Sequence, residues 1–360
     1  MSEDFQSDQN PEESKECGSC GIERRRFIAL LAEAGLTGAL LALLGRAGRA
    51  DDKPARQKPM QFRMLGRTRE KVSIVGLGGY HMGMQQDEQE SIRIVRTAVD
   101  GGINFLDNCW DYNEGQSEIR MGKALRDGYR RKVFLMTKID GRDRKTAAQQ
   151  IDESLKRLQT DMIDLIQMHE VIRLNEPERI FAEDGGMQAL IDARKAGKTR
   201  YIGFTGHKSP DIHLKTLDVA AKHGFRFDAV QMPLNVLDAH FDSFESKVLP
   251  RLVKEEIGVL GMKPMGGGEF MKRKAPVSAR ECLMYALSLP TSTVITGCEN
   301  VRDVEQALDA GRNFKPLREK EIAALLEKTR ETARDGRMEL YKTTGHFDGT
   351  SQNPEWLGKA

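Results

Sequence analysis

Strong charge of one sign is absent from this sequence. The chain has 360 residues, of which 56 are Lys or Arg and 54 are Asp or Glu, and its formal net charge is +2. Basic and acidic residues are interleaved along most segments, as is typical of a solvated surface. A phosphate-binding face would need clustered Lys and Arg with little acid between them. The composition therefore argues against nucleic acid as a partner.

Cysteine is also scarce, with five residues in the chain. Cys17 and Cys20 form a single C-x-x-C near the N-terminus, while Cys109, Cys282 and Cys298 are widely separated. Three scattered cysteines do not form a disulfide framework. One C-x-x-C supplies half of a four-thiolate metal site, and no His or Cys pair nearby completes it. We therefore expect no metal site, and we assign Cys109 to local packing.

Long apolar runs are missing except near the N-terminus. Residues 1–16 are polar and acidic, and residues 24–28, RRRFI, precede an Ala- and Gly-rich apolar run that contains Glu33 and ends at Leu44. Two arginines followed by any residue, Phe and an aliphatic residue resemble a twin-arginine export signal, although Glu23 stands where Ser or Thr is usual. The alternative is an uncleaved amphipathic or membrane-anchoring helix.

We interpret residues 1–50 as a disordered leader followed by this signal, and we set them aside from the fold. The resemblance implies the twin-arginine (Tat) translocase as a partner during export and a periplasmic location. An uncleaved signal would leave the protein tethered to the membrane.

From residue 60 onwards, short apolar runs alternate with amphipathic segments of helical period. Continuously apolar runs are typical of parallel strands that are covered on both faces. Strands that alternate with helices predict a parallel sheet. The eight runs are 72–78, 103–108, 133–138, 164–170, 200–206, 229–235, 257–264 and 292–298.

Eight such units over about 240 residues match the size of a (β/α)8 TIM barrel, which we place at residues 60–334. An open doubly wound sheet is the alternative, but eight regularly spaced units favour closure. The segment FRMLGRTREKVS, residues 62–73, predicts a small β-hairpin that closes the bottom of the barrel. Residues 315–334 predict one extra helix, and residues 335–360 have no period and are predicted to be a loop tail.

Three polar residues lie at the ends of three consecutive predicted strands, and a fourth lies in the loop after the first of them. They are Asp107, Tyr112, Lys138 and His169. Each alone has an ordinary structural explanation, such as a surface salt bridge or a hydrogen-bonded core histidine. In a TIM barrel, however, the active site lies at the C-terminal ends of the strands, which we call the barrel mouth. Four chemically complementary side chains at that mouth predict a catalytic site.

The four residue types suit proton transfer to an oxygen atom. A phenol has a pKa near 10, so it is a weak acid at neutral pH unless a neighbouring ammonium favours its anion. A carboxylate would fix that ammonium and compensate for its burial. An imidazole could hydrogen-bond and orient the substrate oxygen. None of these groups stores hydride, so a reduction would require a redox cofactor.

The segments GINFLDNCWDYNEGQSEIRMGKAL, VFLMTK, DLIQMHE and GKTRYIGFTG resemble successive signatures of the aldo-keto reductase family. The resemblance covers about residues 60–330. It implies hydride transfer between a nicotinamide and a small-molecule carbonyl or alcohol. By the same resemblance, Tyr112 is the general acid/base, Lys138 lowers its pKa, Asp107 pairs with Lys138, and His169 polarises the carbonyl.

The resemblance also implies that the nicotinamide cofactor lies across the barrel mouth without a GxGxxG turn. The segment GLGGYHMG, residues 76–83, has the wrong spacing for that turn and lacks the later acid. We expect Tyr80, His81 and Trp110 to line the substrate pocket. The positions implied for cofactor binding are Thr205, Gly206, Gln231, Met262, Gly266, Gly297, Arg302, Asp303 and Gln306.

Several of these positions depart from the family pattern. Gly206 stands where an amide side chain is usual, and His207 follows as a possible substitute. Met262 stands where the family often has an aromatic residue. NADP(H) is the family's usual cofactor, but Asp303 would repel a 2′-phosphate and Arg302 could still reach it. We therefore expect NADP(H) and leave NAD(H) open.

Two other functions remain compatible with the sequence. One is a nicotinamide-binding sensor or regulatory subunit with little turnover, because family members with that use exist and the cofactor loops are altered here. The other is an unrelated barrel lyase or isomerase, which would bind no nicotinamide. The identity of the substrate is not encoded in any motif of the loops.

Overall fold

The computed structural model describes residues 58–273 and 275–359. The predicted leader, the export signal and the cysteines at 17 and 20 lie outside the described residues. Within this part of the chain, no helix is long and apolar enough to cross a membrane.

The predicted barrel is confirmed. Eight parallel strands form a closed sheet in chain order, so that the first and last barrel strands pair with each other. Each of the eight apolar runs found in the sequence overlaps one of these strands. Their bounds are β3 Val75–Gly78, β4 Phe105–Asp107, β5 Phe134–Ile139, β6 Ile163–Met168, β7 Thr199–Thr205, β8 Ala229–Pro233, β9 Gly258–Met262 and β10 Thr293–Gly297.

Helices cover the outside of the barrel and bury an apolar stripe against it. Several begin where a side chain caps the first turn: Asp87 accepts a hydrogen bond from the Gln89 amide, and Asp143 accepts one from the Thr146 amide. The longer helices are Glu88–Asp100, Gln116–Ala124, Arg144–Leu158, Gly186–Lys195, Pro210–Lys222, Leu249–Lys254, Ala279–Ser288 and Val301–Arg312. Short helices span Gly79–Gly83, Glu176–Ile180, Phe244–Lys247 and Glu269–Lys272.

A two-stranded hairpin closes the bottom of the barrel, as the sequence predicted. Strand β1, Phe62–Met64, pairs antiparallel with β2, Lys71–Ser73. Leu65 and Val72 are fully buried and belong to the apolar cluster inside the barrel. The interior is therefore a packed core rather than a channel.

The inner faces of β4 and β5 change from apolar to polar towards the mouth. Because side chains alternate along a strand, Phe105 and Asp107 lie on the same face of β4, as Met136 and Lys138 do on β5. Phe105 and Met136 belong to the buried inner cluster. Asp107 and Lys138 therefore form the polar layer directly above the core.

The C-terminal tail is more ordered than the predicted loop. The extra helix is present at Glu319–Ala333, and short helical turns follow at Leu340–Thr343, Gly349–Gln352 and Pro354–Leu357. These turns bind the barrel mouth mainly through polar contacts. The amide and hydroxyl of Thr350 both donate to Glu170 Oε2, each at 2.8 Å. Single turns held by tertiary contacts leave no helical period in the sequence.

A buried arginine ties the mouth loops together. The Arg142 side chain has no solvent exposure, and its Nε donates to Glu176 Oε1 at 3.0 Å. Its other nitrogens donate to the backbone carbonyls of Asp140, His169 and Glu170 at 2.6 to 2.9 Å. One planar guanidinium thus fixes the loops after β5 and β6 relative to each other.

Replacing Arg142 with Met should lower the free energy of unfolding by about 3 kcal/mol or more, because a buried charge and several carbonyls lose their partner. Arg144→Met is the matched control, since the Arg144 side chain is 55% exposed beside Asp192 and an exposed pair contributes about 1 kcal/mol or less. Urea unfolding followed by circular dichroism measures both. Equal destabilisation of the two variants would contradict the assignment.

Candidate active site

The structure brings the four predicted catalytic residues together at the barrel mouth. Lys138 Nζ lies 2.5 Å from Asp107 Oδ1 and 3.2 Å from the Tyr112 hydroxyl. It also donates to the backbone carbonyl of Asn108 at 2.7 Å. The side chains of Lys138 and Asp107 are 1% and 5% exposed, so the ion pair is buried. The ammonium therefore joins the ends of β4 and β5 to the loop that carries Tyr112.

Tyr112 is presented by a tight turn after β4. Asn113, Glu114 and Gly115 all have positive φ, at 52°, 55° and 81°, so the chain reverses direction directly after Tyr112. The ring lies against Tyr80 and His169, with centroid distances of 5.4 and 5.9 Å and edge-to-face geometry. This packing holds the phenol between the ammonium and the imidazole.

Burial and charged neighbours determine the pKa of the Tyr112 phenol. Burial raises the pKa of Tyr112 well above its usual value, and the negative charge of Asp107 raises it further. Burial is the largest of these effects, and together they outweigh the nearby ammonium of Lys138. The lowering of this pKa by Lys138 stays a prediction. Tyr112 is accordingly a protonated hydrogen-bond donor at neutral pH.

His169 belongs to a second polar cluster, behind the phenol. Its Nδ1 lies 2.9 Å from Asp140 Oδ1, 3.2 Å from Cys109 Sγ and 3.7 Å from Asp111 Oδ1. Asp140 was not among the residues predicted from the sequence, and Cys109 was assigned to packing. The available signal was the spacing of Lys138 and Asp140, because residues two apart at a strand end share a face.

The carboxylates change the proton affinity of this cluster. Burial lowers the pKa of His169, but the charges of Asp140 and Asp111 outweigh burial, and the pKa is raised overall. Burial and the charge of Asp140 raise the pKa of Asp111 to about 6. The cluster therefore retains protons near neutral pH.

The polar layer also offers a place for a carboxamide. Gln231 Nε2 donates to Asp107 Oδ2 at 3.3 Å, while Gln231 Oε1 is buried and has no hydrogen-bond partner among the described residues. Thr205 is 2% exposed, and its hydroxyl lies 4.0 Å from Met262 Sδ. An acceptor and a hydroxyl on neighbouring strands match the amide and carbonyl of a nicotinamide carboxamide. The residues present thus fit the expected group.

Gly206 and His207 have structural roles that the sequence did not indicate. A Cβ at Gly206 would lie 2.4 Å from the Val171 carbonyl oxygen, so no side chain fits there. His207 Nε2 lies 3.0 Å from Asp348 Oδ1 of the tail. His207 therefore connects the end of β7 to the tail through that nitrogen.

The loop after β9 contains three consecutive glycines in the left-handed region. Gly266, Gly267 and Gly268 have φ values of 64°, 76° and 91°. Such a run is accessible to glycine and strained for other residues. The amides of Gly266 and Gly268 already donate to the carbonyls of Lys263 and Met265, at 2.9 and 3.2 Å, so a phosphate contact at Gly266 stays a prediction.

The predicted adenosine end lies at the start of the helix Val301–Arg312. Arg302 and Gln306 are exposed and one helical turn apart. Asp303 Oδ2 accepts a hydrogen bond from the Glu299 amide at 3.0 Å, so the carboxylate stabilises the turn before the helix. On the mouth side of β10, the His81 ring packs so closely on Gly297 that a Cβ there would lie 2.1 Å from His81 Nδ1.

The predicted pocket residues have different environments. Tyr80 is 46% exposed beside Tyr112 and is available to a substrate. Trp110 instead donates from its indole nitrogen to Glu153 Oε2 at 2.7 Å and packs edge-on against Trp356 at 6.0 Å. Trp110 therefore joins the helix Arg144–Leu158 to the tail.

Proteins of similar sequence include oxidoreductases. The uncharacterized oxidoreductase YrpG of Bacillus subtilis is 30% identical over 229 residues, which is 58% of this chain and 68% of that protein. The L-galactose dehydrogenase of Arabidopsis thaliana is 30% identical over 236 residues, covering 60% of this chain and 69% of that enzyme.

A solved structure and a family model agree with these relatives. The aldo-keto reductase AKR11C1 from Bacillus halodurans, in its holo form, superposes with a TM-score of 0.63 at 23% identity. It covers 75% of this chain and 96% of its own, and at this identity it supports the fold. The model of the Aldo/keto reductase family matches residues 74–281. The chain therefore belongs to the aldo/keto reductase family of oxidoreductases.

Proposed function

We propose that this protein transfers hydride between a nicotinamide nucleotide and a small-molecule carbonyl or alcohol, with Tyr112 as the general acid/base. The observation that carries the proposal is the contact of one buried ammonium, Lys138 Nζ, with both Asp107 and the Tyr112 hydroxyl. A buried ion pair seldom adds net stability. Its placement against a phenol at the mouth of a barrel instead favours a catalytic role.

In the direction of reduction, each of the four residues has a separate role. The Tyr112 hydroxyl donates its proton to the oxygen that gains negative charge. Lys138 stabilises the resulting phenolate at 3.2 Å. Asp107 holds Lys138 in place, and His169 offers a second hydrogen bond to the same oxygen. Donors that are fixed before the reaction stabilise developing charge without reorganisation.

The bound nicotinamide nucleotide would supply the hydride. Gln231 Oε1 and the Thr205 hydroxyl would hold its carboxamide, and the backbone around Gly266 would contact its phosphates. We propose NADP(H) as the preferred form, with NAD(H) as the alternative. Supporting this, Arg302 is exposed at the helix start, whereas Asp303 is already bonded to the Glu299 amide.

A sugar or another hydroxy aldehyde is our first candidate for the substrate. A relative that is 30% identical is an L-galactose dehydrogenase. A panel of sugars, aldehydes and ketones with NADPH and NADH tests the class. Turnover with any of them supports the enzyme. Tight nucleotide binding without turnover across the panel would favour a sensor or regulatory subunit instead.

We also propose that the protein is exported by the twin-arginine route. The support is the sequence RRRFI at residues 24–28. Replacing Arg24 and Arg25 together with Lys should retain the protein in the cytoplasm, as measured by fractionation and immunoblotting. Unchanged export of that variant would contradict the proposal.

Tyr112→Phe should reduce kcat by about 100-fold or more, because positioned general acids contribute that much or more to the rate. The binding of the nucleotide should be unchanged, since the phenol oxygen does not hold it. Steady-state kinetics and tryptophan fluorescence quenching by NADPH measure the two properties. Tyr129→Phe is the control, because that tyrosine bonds Asp100 on the outer surface. Full turnover by Tyr112→Phe would exclude the assigned role.

Arg302→Ala should weaken NADPH binding by about tenfold, because a hydrogen bond to a charged group contributes about 1.5 kcal/mol or more. NADH binding should not change, since NADH lacks the 2′-phosphate. Isothermal titration calorimetry measures both affinities. Arg93→Ala, at an exposed arginine on another helix, is the control. Equal losses for the two nucleotides would remove Arg302 from phosphate recognition.

A further inference from the structure

The second polar cluster, around His169, contains two carboxylates that have no role in the proposed hydride transfer. His169 Nδ1 faces a carboxylate at 2.9 Å and a second one at 3.7 Å. The carboxylate groups belong to Asp140, which has no exposed side-chain surface, and to Asp111, which is 12% exposed. Two buried carboxylates beside one imidazole require a positive charge or a proton between them.

Hydrogen bonds to the backbone of Asp140 fix its position beside His169. Its backbone amide donates to Gln150 Oε1 at 2.8 Å, and its backbone carbonyl accepts from Arg142 at 2.6 Å. The same arginine also donates to the His169 carbonyl at 2.7 Å. The distance between the carboxylate and the ring is therefore set by a shared framework rather than by two independent loops.

The tautomer of His169 follows from the chemistry of its partners. An ionised carboxylate can only accept hydrogen bonds, so the proton on Nδ1 must belong to the ring. Cys109 Sγ lies 3.2 Å from the same nitrogen and 3.7 Å from the Lys138 carbonyl, so the thiol can donate to that carbonyl. Burial raises the pKa of the Cys109 thiol well above its usual value, which keeps it neutral.

The other nitrogen of the ring is available to a substrate. His169 Nε2 has no hydrogen-bond partner within residues 58–273 and 275–359. Since Nδ1 already carries a proton, a neutral ring would present a lone pair at Nε2 to the substrate. A lone pair repels a carbonyl oxygen and accepts from an alcohol. A ring protonated on both nitrogens would instead donate to the carbonyl.

We infer that Asp140 is a positioning residue that keeps His169 protonated on both nitrogens, so that Nε2 donates to a carbonyl oxygen at neutral pH. The inference rests on the proposed function for its catalytic meaning. It adds a carboxylate that acts on the reaction through His169. The ionisation of the imidazole then sets the pH above which reduction declines.

The charged neighbours of His169 are three carboxylates and two cations, Lys138 and Arg142, and each cation is paired with a carboxylate of its own, Asp107 and Glu176 respectively. Asp111 and Tyr112 approach from the loop after β4, Asp140 from the loop after β5, and Glu170 follows in the chain. The negative charges of Asp140, Asp111 and Glu170 favour the protonated ring. Lys138 opposes them, but Asp107 pairs with it at 2.5 Å. Tyr112 is neutral while its pKa is raised.

The decisive experiment measures the ionisation of His169 directly. In Asp140→Asn, the amide oxygen can still accept the Nδ1 proton, so the geometry persists while the charge is lost. NMR of the histidine rings of the full-length protein across pH 5 to 9, with His169 assigned by His169→Gln, reports the pKa and the tautomer. The pKa of His169 should fall by about one unit or more in Asp140→Asn, since a nearby opposite charge raises a pKa by that amount. Asp152→Asn, at an exposed carboxylate, should leave it unchanged.

Kinetics provide the second readout. In Asp140→Asn, the pH above which kcat for reduction declines should decrease by as many pH units as the pKa of His169 does. At pH values well below this decline, kcat should stay near the wild-type value. Uniform loss at every pH would indicate a merely structural role. An unchanged His169 pKa in Asp140→Asn, or a wild-type ring that is neutral with its proton on Nε2 at pH 7, would overturn the inference. The NMR measurement does not require turnover. If the pKa of His169 shifts as expected but no carbonyl compound is reduced, the result would contradict the proposed function and leave the role of Asp140 intact.

Discussion

The buried ion pair between Lys138 and Asp107 is the constraint on which the site depends. Its two side chains are 1% and 5% exposed, so both charges have lost their hydration. Removing either partner would leave an uncompensated charge and cost about 3–5 kcal/mol. The pair is completed by the Asn108 carbonyl on the ammonium and the Gln231 amide on the carboxylate. The ends of β4, β5 and β8 are thereby fixed relative to one another.

Two electrostatic centres flank Tyr112 in different ways. On one side, Lys138 and Asp107 form a buried ion pair. On the other side, Asp140, Asp111 and Glu170 surround His169 with an excess of negative charge. A phenolate would be disfavoured by this excess and by burial, which is consistent with the raised pKa of Tyr112. Both centres therefore favour the forms of Tyr112 and His169 that donate hydrogen bonds, and such a site is suited to accept a carbonyl oxygen.

Much of this arrangement could be predicted from the sequence because it depends on periodicity. Continuous apolar runs identified the eight strands, and the rule that barrel sites lie at strand C-termini brought Asp107, Lys138 and His169 to one mouth. The contact of Asp140 with His169 could not be predicted in this way, because it depends on the register between β5 and β6 and on the rigid support of Arg142. The raised pKa of Tyr112 depends on burial, which a residue list does not contain.

The tail could not be predicted either, because its turns are stabilised by contacts with the barrel rather than by their own period. Those contacts reach groups that follow three neighbouring strands. Thr350 bonds to Glu170 after β6, Asp348 to His207 after β7, and Tyr341 to Asn235 after β8.

The tail's hydrogen bonds therefore lie on one side of the mouth within the described chain. The opposite side carries Gly297 at the end of β10 and the helix that begins at Val301. In the proposed binding mode, a nucleotide with its carboxamide at Gln231 would extend over Gly266 towards Arg302 on that side. The tail would then border the space for the proposed substrate. This division is consistent with the polar, aperiodic sequence of the tail, because its side chains and backbone bond individual groups near the strand ends. Its bonds to Glu170, His207 and Asn235 satisfy buried donors or acceptors.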